Sequence, residues 1–228
     1  MSISSELITL NNTKQGIKQA INNKGVTVTS EPFAEYPDKI RLIPNGGGVY
    51  ESSVILFIEG RLKSLVIPEN TVLRPYACAG SSFTSVTIPN SVTAIPNNAF
   101  YACGSLTDVS IGTGVTSIGN NAFASCSSLS RLVIPDSVTT IGDDCCYFAP
   151  VSYVEIGTGI TSIGKRAFSH VYNGTVVVKA TVPPTIPSSD IPFGSQSDIY
   201  VPDNSVLDYQ VAWSYYADRI KPISQLPS

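Results

Sequence analysis

Thr84-Ser-Val-Thr-Ile-Pro-Asn-Ser-Val-Thr-Ala-Ile-Pro-Asn-Asn-Ala-Phe-Tyr-Ala-Cys-Gly-Ser-Leu106 is followed at once by Thr107-Asp-Val-Ser-Ile-Gly-Thr-Gly-Val-Thr-Ser-Ile-Gly-Asn-Asn-Ala-Phe-Ala-Ser-Cys-Ser-Ser-Leu129. The two stretches carry one pattern, and a fixed period of this length is the mark of a repeat array. Ile67, Ile88, Ile111, Ile134, Ile156, Val178 and Val201 occupy the same place in successive copies, at steps of 21, 23, 23, 22, 22 and 23 residues. The ends are degenerate and the middle is regular, as in a solenoid closed by caps.

Each copy divides into three parts. The first is a strand ending at the repeated Ile, whose inward residues are Leu65/Ile67, Val86/Ile88, Val109/Ile111, Leu132/Ile134 and Val154/Ile156. A turn follows, as in Pro89-Asn90-Ser91 or Gly112-Thr113-Gly114, with residues suited to tight turns. Then come a short extended piece such as Val115–Ile118, a polar pair, and an Ala-Phe that opens a helical turn. The pairs Asn97-Asn98, Asn120-Asn121 and Asp143-Asp144 are expected to cap that turn through its unsatisfied N–H groups. Stacked in parallel at about 4.8 Å, seven such strands span roughly 29 Å. The expected fold is a mostly β repeat solenoid with short helical turns, a small helical N-terminal module and a C-terminal capping helix.

Four segments follow from this reading: residues 1–44, a Gly-rich linker at 45–49, the solenoid at 50–202, and a cap helix and tail at 203–228. In the first, a helix is expected from about Asn12 or Thr13 to Asn23, presenting Ile17 and Ile21, with Gly25 ending it. A second helix is expected from about Pro32 to Ile43, presenting Phe33, Tyr36, Ile40 and Ile43 at spacings of three and four. Val49–Ile58 reads as a strand entering the array over its first coil. At the far end, Val206, Tyr209, Ala212/Trp213, Tyr216 and Ile220 predict one helix from about Asn204 to Ile220.

Composition narrows the function. Charged residues are 14% of the chain, the net charge is −3, and Arg131 is the single basic residue between Gly80 and Gly164. A nucleic-acid partner requires clustered Lys and Arg, so none is expected. No stretch approaches the roughly 20 apolar residues of a membrane span, and Met1–Leu10 lacks the basic and apolar regions of a signal peptide. Cys103 and Cys126 share one slot, while Cys78 and Cys146 fall where other copies place Phe100, Phe123 and Phe168. They read as buried free thiols, and no metal or cofactor site is expected.

Catalysis finds no constellation. His170, the sole histidine, stands in a variable position of a repeat turn, and Asp143-Asp144 replaces the Asn-Asn of its neighbours. The Gly-Thr-Gly turns lack the further glycine of a dinucleotide loop. Binding is the stronger expectation. Outward positions of the strands form a Ser/Thr background broken by Asp108, Arg131, Val133, Tyr153, Glu155 and Tyr200. Asp108 and Arg131 would be neighbours in one column, and an aromatic-plus-Arg cluster is where binding energy concentrates.

The repeated pattern, V-x-I-P-x-S-V-T-x-I-G-x-x-A-F-x-x-C-x-S-L over residues 63–178, resembles the BspA-like leucine-rich repeats of bacterial surface proteins. Tyr200–Ile223 resembles the end of such proteins from gut Bacteroides-type bacteria. The resemblance implies a right-handed solenoid used for adhesion or recognition. Residues 10–41 instead resemble a short module of phage and prophage virion proteins, which implies that residues 1–44 dock the chain to other virion proteins. A particle assembled in the cytoplasm needs no leader. The expectation is therefore a multi-copy, homo-oligomeric virion fibre or decoration protein whose array meets a host surface protein or glycan. The alternative is an adhesin on a bacterial cell surface.

Overall fold

The computed structural model describes residues 40–43, 55–58, 63–189 and 191–227. The chain divides into two compact units, residues 1–58 and 59–228. In the first, β1 (Ile40–Ile43) pairs antiparallel with β2 (Ile55–Ile58), Ile40 opposite Ile58 and Ile43 opposite Ile55. This corrects one expectation. Ile40 to Ile43 end in a strand rather than a helix, because Ile-Arg-Leu-Ile alternates as well as it fits a three-four spacing. β2 takes β1 as its partner, with the Gly-rich stretch in the connection between them. Ile17, Ile21, Phe33, Tyr36 and the helix about residues 12–23 lie outside the described residues.

The second unit is the repeat array, with parallel ladders on two sides. On one side are β3 (Ser64–Val66), β4 (Ser85–Ile88), β6 (Asp108–Ile111), β8 (Arg131–Ile134), β10 (Tyr153–Ile156), β12 (Thr175–Val178) and β13 (Asp198–Val201). On the other, the short extended pieces form a ladder of their own: β5 (Ala94–Ile95), β7 (Ser117–Ile118), β9 (Thr140–Ile141) and β11 (Ser162–Ile163). The register follows the repeat, with Val86 opposite Val109, Leu132 opposite Val154, and Val154 opposite Val176. Alternation inside each strand turns one set of side chains inward, and Leu65, Val86, Leu132, Val154 and Val176 are buried. Each such side chain contributes about 1.5–3 kcal/mol on burial, and only the coils on either side supply the surface that buries it.

The expected single sheet of marker strands is interrupted. β3-β4-β6 form one sheet and β8-β10-β12-β13 another, with no ladder between β6 and β8. Val109 and Ile111 are accordingly half-buried where their counterparts are buried. Gly157 N–H reaches the Ile134 carbonyl at 3.0 Å and Lys179 N–H the Ile156 carbonyl at 2.9 Å. Pro135 has no N–H to make the same bond to Ile111. Pro89 has the same deficit while β3 and β4 stay paired. Proline thus accounts for one lost bond and not for the whole seam.

Other rows cross the seam intact. Thr93, Thr116, Thr139, Thr161 and Thr185 form a column in which each backbone N–H donates to the preceding Thr carbonyl at 2.8–2.9 Å. Each hydroxyl reaches the same carbonyl at 3.0–3.1 Å. The polar pairs also work between coils rather than within a turn, which corrects the capping expectation. Asn97 Oδ1 accepts from Asn120 N–H, Asn120 Oδ1 from Asp143 N–H, and Asp143 Oδ1 from Lys165 N–H, at 2.8, 2.9 and 2.7 Å. The second members, Asn98, Asn121 and Asp144, have positive φ, a region Asn and Asp tolerate well.

Inside, Phe100 and Phe123 stack at 5.3 Å and Phe168 and Phe193 at 6.0 Å. Cys78 and Cys146 stand in the same column, since Cys78 N–H bonds to Ala99 O and Cys146 N–H to Ala167 O as Phe100 N–H does to Ala122 O. All five cysteines are buried free thiols. Cys145 falls in the neighbouring column, which Ala99, Ala122 and Ala167 otherwise fill.

The C-terminal cap also differs from the single helix expected. A 3-10 turn at Asp203–Ser205 leads into α1 (Val206–Ala212), Trp213 breaks the helix at φ −113, ψ 54, and Ser214–Arg219 is again 3-10. Ile220–Pro222 is then β14, parallel to β13. The apolar spacing runs unbroken through Trp213, so it could not mark the break. Tyr209, Trp213 and Tyr216 are buried, and Val206 and Ala212 are not. The polar tips of the aromatic residues satisfy backbone left open at the end of the stack. Tyr209 Oη donates to Ala180 O at 2.8 Å, Trp213 Nε1 to Pro184 O at 3.0 Å, and Tyr216 Oη to Phe193 O at 3.2 Å.

Candidate functional site

Alternation that sends Leu132, Ile134, Val154 and Ile156 inward sends Arg131, Val133, Tyr153 and Glu155 outward. Parallel register sets Arg131 beside Tyr153 and Val133 beside Glu155. The Arg131 guanidinium lies over the Tyr153 ring, 3.9 Å from its centroid, a cation–π geometry. Tyr153 Oη donates to Glu155 Oε2 at 3.0 Å, and Arg131 Nη2 stands 3.8 Å from the same oxygen. Lys179 Nζ closes the group on Glu155 Oε1 at 2.5 Å.

The lysine contact first, with the Tyr153 hydroxyl and the Arg131 charge behind it, holds the Glu155 carboxyl below the usual glutamate value against a desolvation that opposes it. The Lys179 ammonium is raised in return, chiefly by that bond. Partial burial and the bond to Glu155 raise the Tyr153 phenol. The cluster is a preset platform with two cations to one anion, and Arg131 keeps 57% of its side chain exposed.

The remaining sequence-derived residues are placed differently. Val133 is 39% exposed beside the cluster. Asp108 is exposed but takes the Thr107 hydroxyl at 2.6 Å, and Arg131 turns to the following strand instead. The expected Asp108–Arg131 column pair does not form. Tyr200 is 3% exposed and so is not a contact residue. Val177 is its buried neighbour on β12, and Lys221 on β14 stands over its ring at 5.9 Å while pairing with Asp198 at 2.8 Å. Lys179 was not anticipated. It follows the strand-ending Val178 where the other coils have Pro68, Pro89, Gly112, Pro135 and Gly157, and a long side chain in that turn position was the signal.

No catalytic arrangement competes with this platform among the described residues. His170 contacts Tyr147, Phe148 and Tyr172, and its Nδ1 lies 3.2 Å from Ser169 Oγ, with no carboxylate to orient the ring as a Ser-His-acid site requires. Asp144 is tied to Arg166 through two bonds of 2.8 Å. A broad open groove along β5, β7 and β9 is lined by Asn97, Ser117, Asn120 and Thr140 with Pro, Ile and Gly, and holds no acid or base. Among the described residues no group of three or more His, Cys, Asp or Glu could hold a metal ion, and no helix is long and apolar enough to cross a membrane.

A family profile described as the BspA type leucine rich repeat region matches residues 55–175 in six copies, just over half of the chain. A search of curated proteins gives no match. Among solved structures, the chain is similar to a leucine-rich repeat protein of T. pallidum, with 24% identity, 61% of this chain and 67% of that one covered, and a TM-score of 0.47. It is similar to one from Bacteroides ovatus ATCC 8483, with 20% identity, coverage of 62% and 42%, and a TM-score of 0.46. The pneumococcal vaccine antigen PcpA gives 16% identity, coverage of 73% and 48%, and a TM-score of 0.53. The chain thus spans about half the length of the last two, and at such identities the likeness is one of fold.

Proposed function

Because the chain belongs to the BspA-type leucine-rich repeat family, we propose that it is a non-enzymatic recognition module that grips a protein partner on the outward face of β8, β10 and β12. The observation that carries this reading is the Arg131–Tyr153–Glu155–Lys179 cluster, which stands out from the small hydroxyl side chains at outward positions such as Ser64, Ser85, Thr87, Ser110 and Thr175. Repeat arrays recognise partners on such continuous faces. A stacked Arg and Tyr already held in place lose little conformational freedom on contact, so more of their interaction survives as affinity.

For display, the reading extends to a virion fibre or decoration protein, with residues 1–44 docking it to other virion proteins in multiple copies. The likeness of residues 10–41 to a virion module supports it. Display on a bacterial cell surface is supported equally by the family itself. Two experiments separate the layers of the proposal. Fluorescent full-length chain is titrated onto host bacterial cells, and Arg131→Ala with Tyr153→Ala is expected to weaken binding by about tenfold or more, the scale of a hot-spot loss. Unchanged binding rejects the platform. Deleting residues 1–44 is expected to remove the chain from purified particles, and undiminished incorporation rejects the docking role.

A further inference from the structure

A second exposed cluster lies on the turn side of the fourth and fifth coils, away from the strand face. Phe148 is 60% exposed and Tyr172 59%. With Tyr147 and His170 they form one aromatic group, with ring centroids 4.2 Å apart for Tyr147–Phe148, 4.7 Å for Tyr147–His170 and for Phe148–His170, and 5.5 Å for His170–Tyr172.

Phe148 is a residue its slot disfavours. The backbone at its slot is left-handed in every coil up to its own, with φ of 71, 56, 59 and 57 at Gly80, Ala102, Ser125 and Phe148. The first three coils place small residues there, as a positive φ favours. A bulky side chain in that region is a true outlier, costing on the order of 1 kcal/mol or more. Phe148 therefore combines a strained backbone with a large apolar surface left in water. Exposed apolar clusters of this kind mark contact sites.

We propose that this aromatic group is a binding site for a neutral glycan. The four rings meet one another tilted or edge-on, at 51–88°. Phe148 and Tyr172, the most exposed of the four, offer apolar ring surface to the C–H face of a sugar ring. Tyr147 and Tyr172 bring hydroxyls to the same group, and His170 an imidazole that meets Ser169 Oγ at 3.2 Å, for pairing with the hydroxyls of the sugar. Burial among the rings lowers the His170 pKa, so the imidazole is mainly uncharged at neutral pH. The cation against the group, Arg166, is held by Asp144 in a two-point ion pair. An acidic ligand would therefore gain little here, and a neutral one loses nothing.

The test is affinity electrophoresis of the full chain in native gels containing a soluble neutral polysaccharide, with β-glucan, mannan and galactan each tried. At least one is expected to retard the chain. Phe148→Gly suits the left-handed backbone, so its melting temperature is expected to be unchanged or raised while retardation falls about tenfold or more. Tyr172→Ser provides a second reading of the same surface. Retardation by none of the three, or retardation unchanged in both variants, overturns the proposal. So does a Phe148→Gly chain that keeps its polysaccharide binding and loses a protein ligand. Failure here leaves the strand-face platform untouched, since the two sites share no residue.

Discussion

Gly114 shows how little room a coil leaves its neighbour. A Cβ there would land on the Asn90 carbonyl oxygen of the preceding turn, and that oxygen is backbone, so nothing can yield cheaply. Gly114→Ala is expected to destabilise the chain by about 1–3 kcal/mol, the cost of overpacking, as measured by urea unfolding. Glu155 gives a prediction in pH. Its folded pKa lies below its unfolded one, because Lys179 and Tyr153 bind the carboxylate form. The stability it contributes is present above the unfolded glutamate value and is lost as pH falls through the folded value. Glu155→Gln is therefore expected to flatten the acid limb of a stability–pH curve, and an acid limb identical to that of the parent chain would contradict the assignment. At this scale the sequence was legible where one residue type has one use. Cys78 and Cys146 could be placed in a Phe column from the period alone. Asn97 and Asn120 could not be assigned, because a side-chain oxygen that caps its own turn and one that receives the next coil's N–H look identical in sequence.

Elements were legible in proportion to the copies that repeat them. The marker strands recur in the expected register, and the short pieces ending at Ile95, Ile118, Ile141 and Ile163 form the second ladder because each coil supplies a two-residue strand that ends in a buried Ile. The single-copy elements were misjudged. α1 stops at Ala212 because Trp213 leaves helical geometry, and the chain then turns to make β14 on the edge of the sheet. The function of the cap lies in those aromatic tips as much as in bulk. Tyr209→Phe leaves the ring in place and the Ala180 carbonyl without its donor. Burial also pushes the phenol pKa well above its usual value, so this hydroxyl stays protonated as a donor. A loss of about 1–3 kcal/mol is expected from leaving one buried acceptor unsatisfied, measured by thermal unfolding of the substituted chain.

Across the whole array, stability comes from neighbours, and the two sides of the coil do not share the work equally. The ladder of marker strands is broken between β6 and β8, although the two strands stay neighbours, while the second ladder, the Thr column and the Asn-Asp row continue through the same level. The outward platform begins on the first strand after that break, where Arg131 turns to Tyr153 on the following strand. Period and composition pointed to a contact surface without chemistry, but they could not locate the seam, since the repeat length at 111–134 is the same 23 residues as at its intact neighbour 88–111. The most direct test is amide hydrogen exchange on the full chain, read peptide by peptide. Protection is expected to be high and continuous at Ser117–Ile118 and Thr140–Ile141, and at Thr139 between them, while Arg131–Ile134 exchanges markedly faster than Tyr153–Ile156. Equal protection of those two strands would contradict the seam, and rapid exchange at Ser117–Ile118 and Thr139–Ile141 would contradict the stack itself.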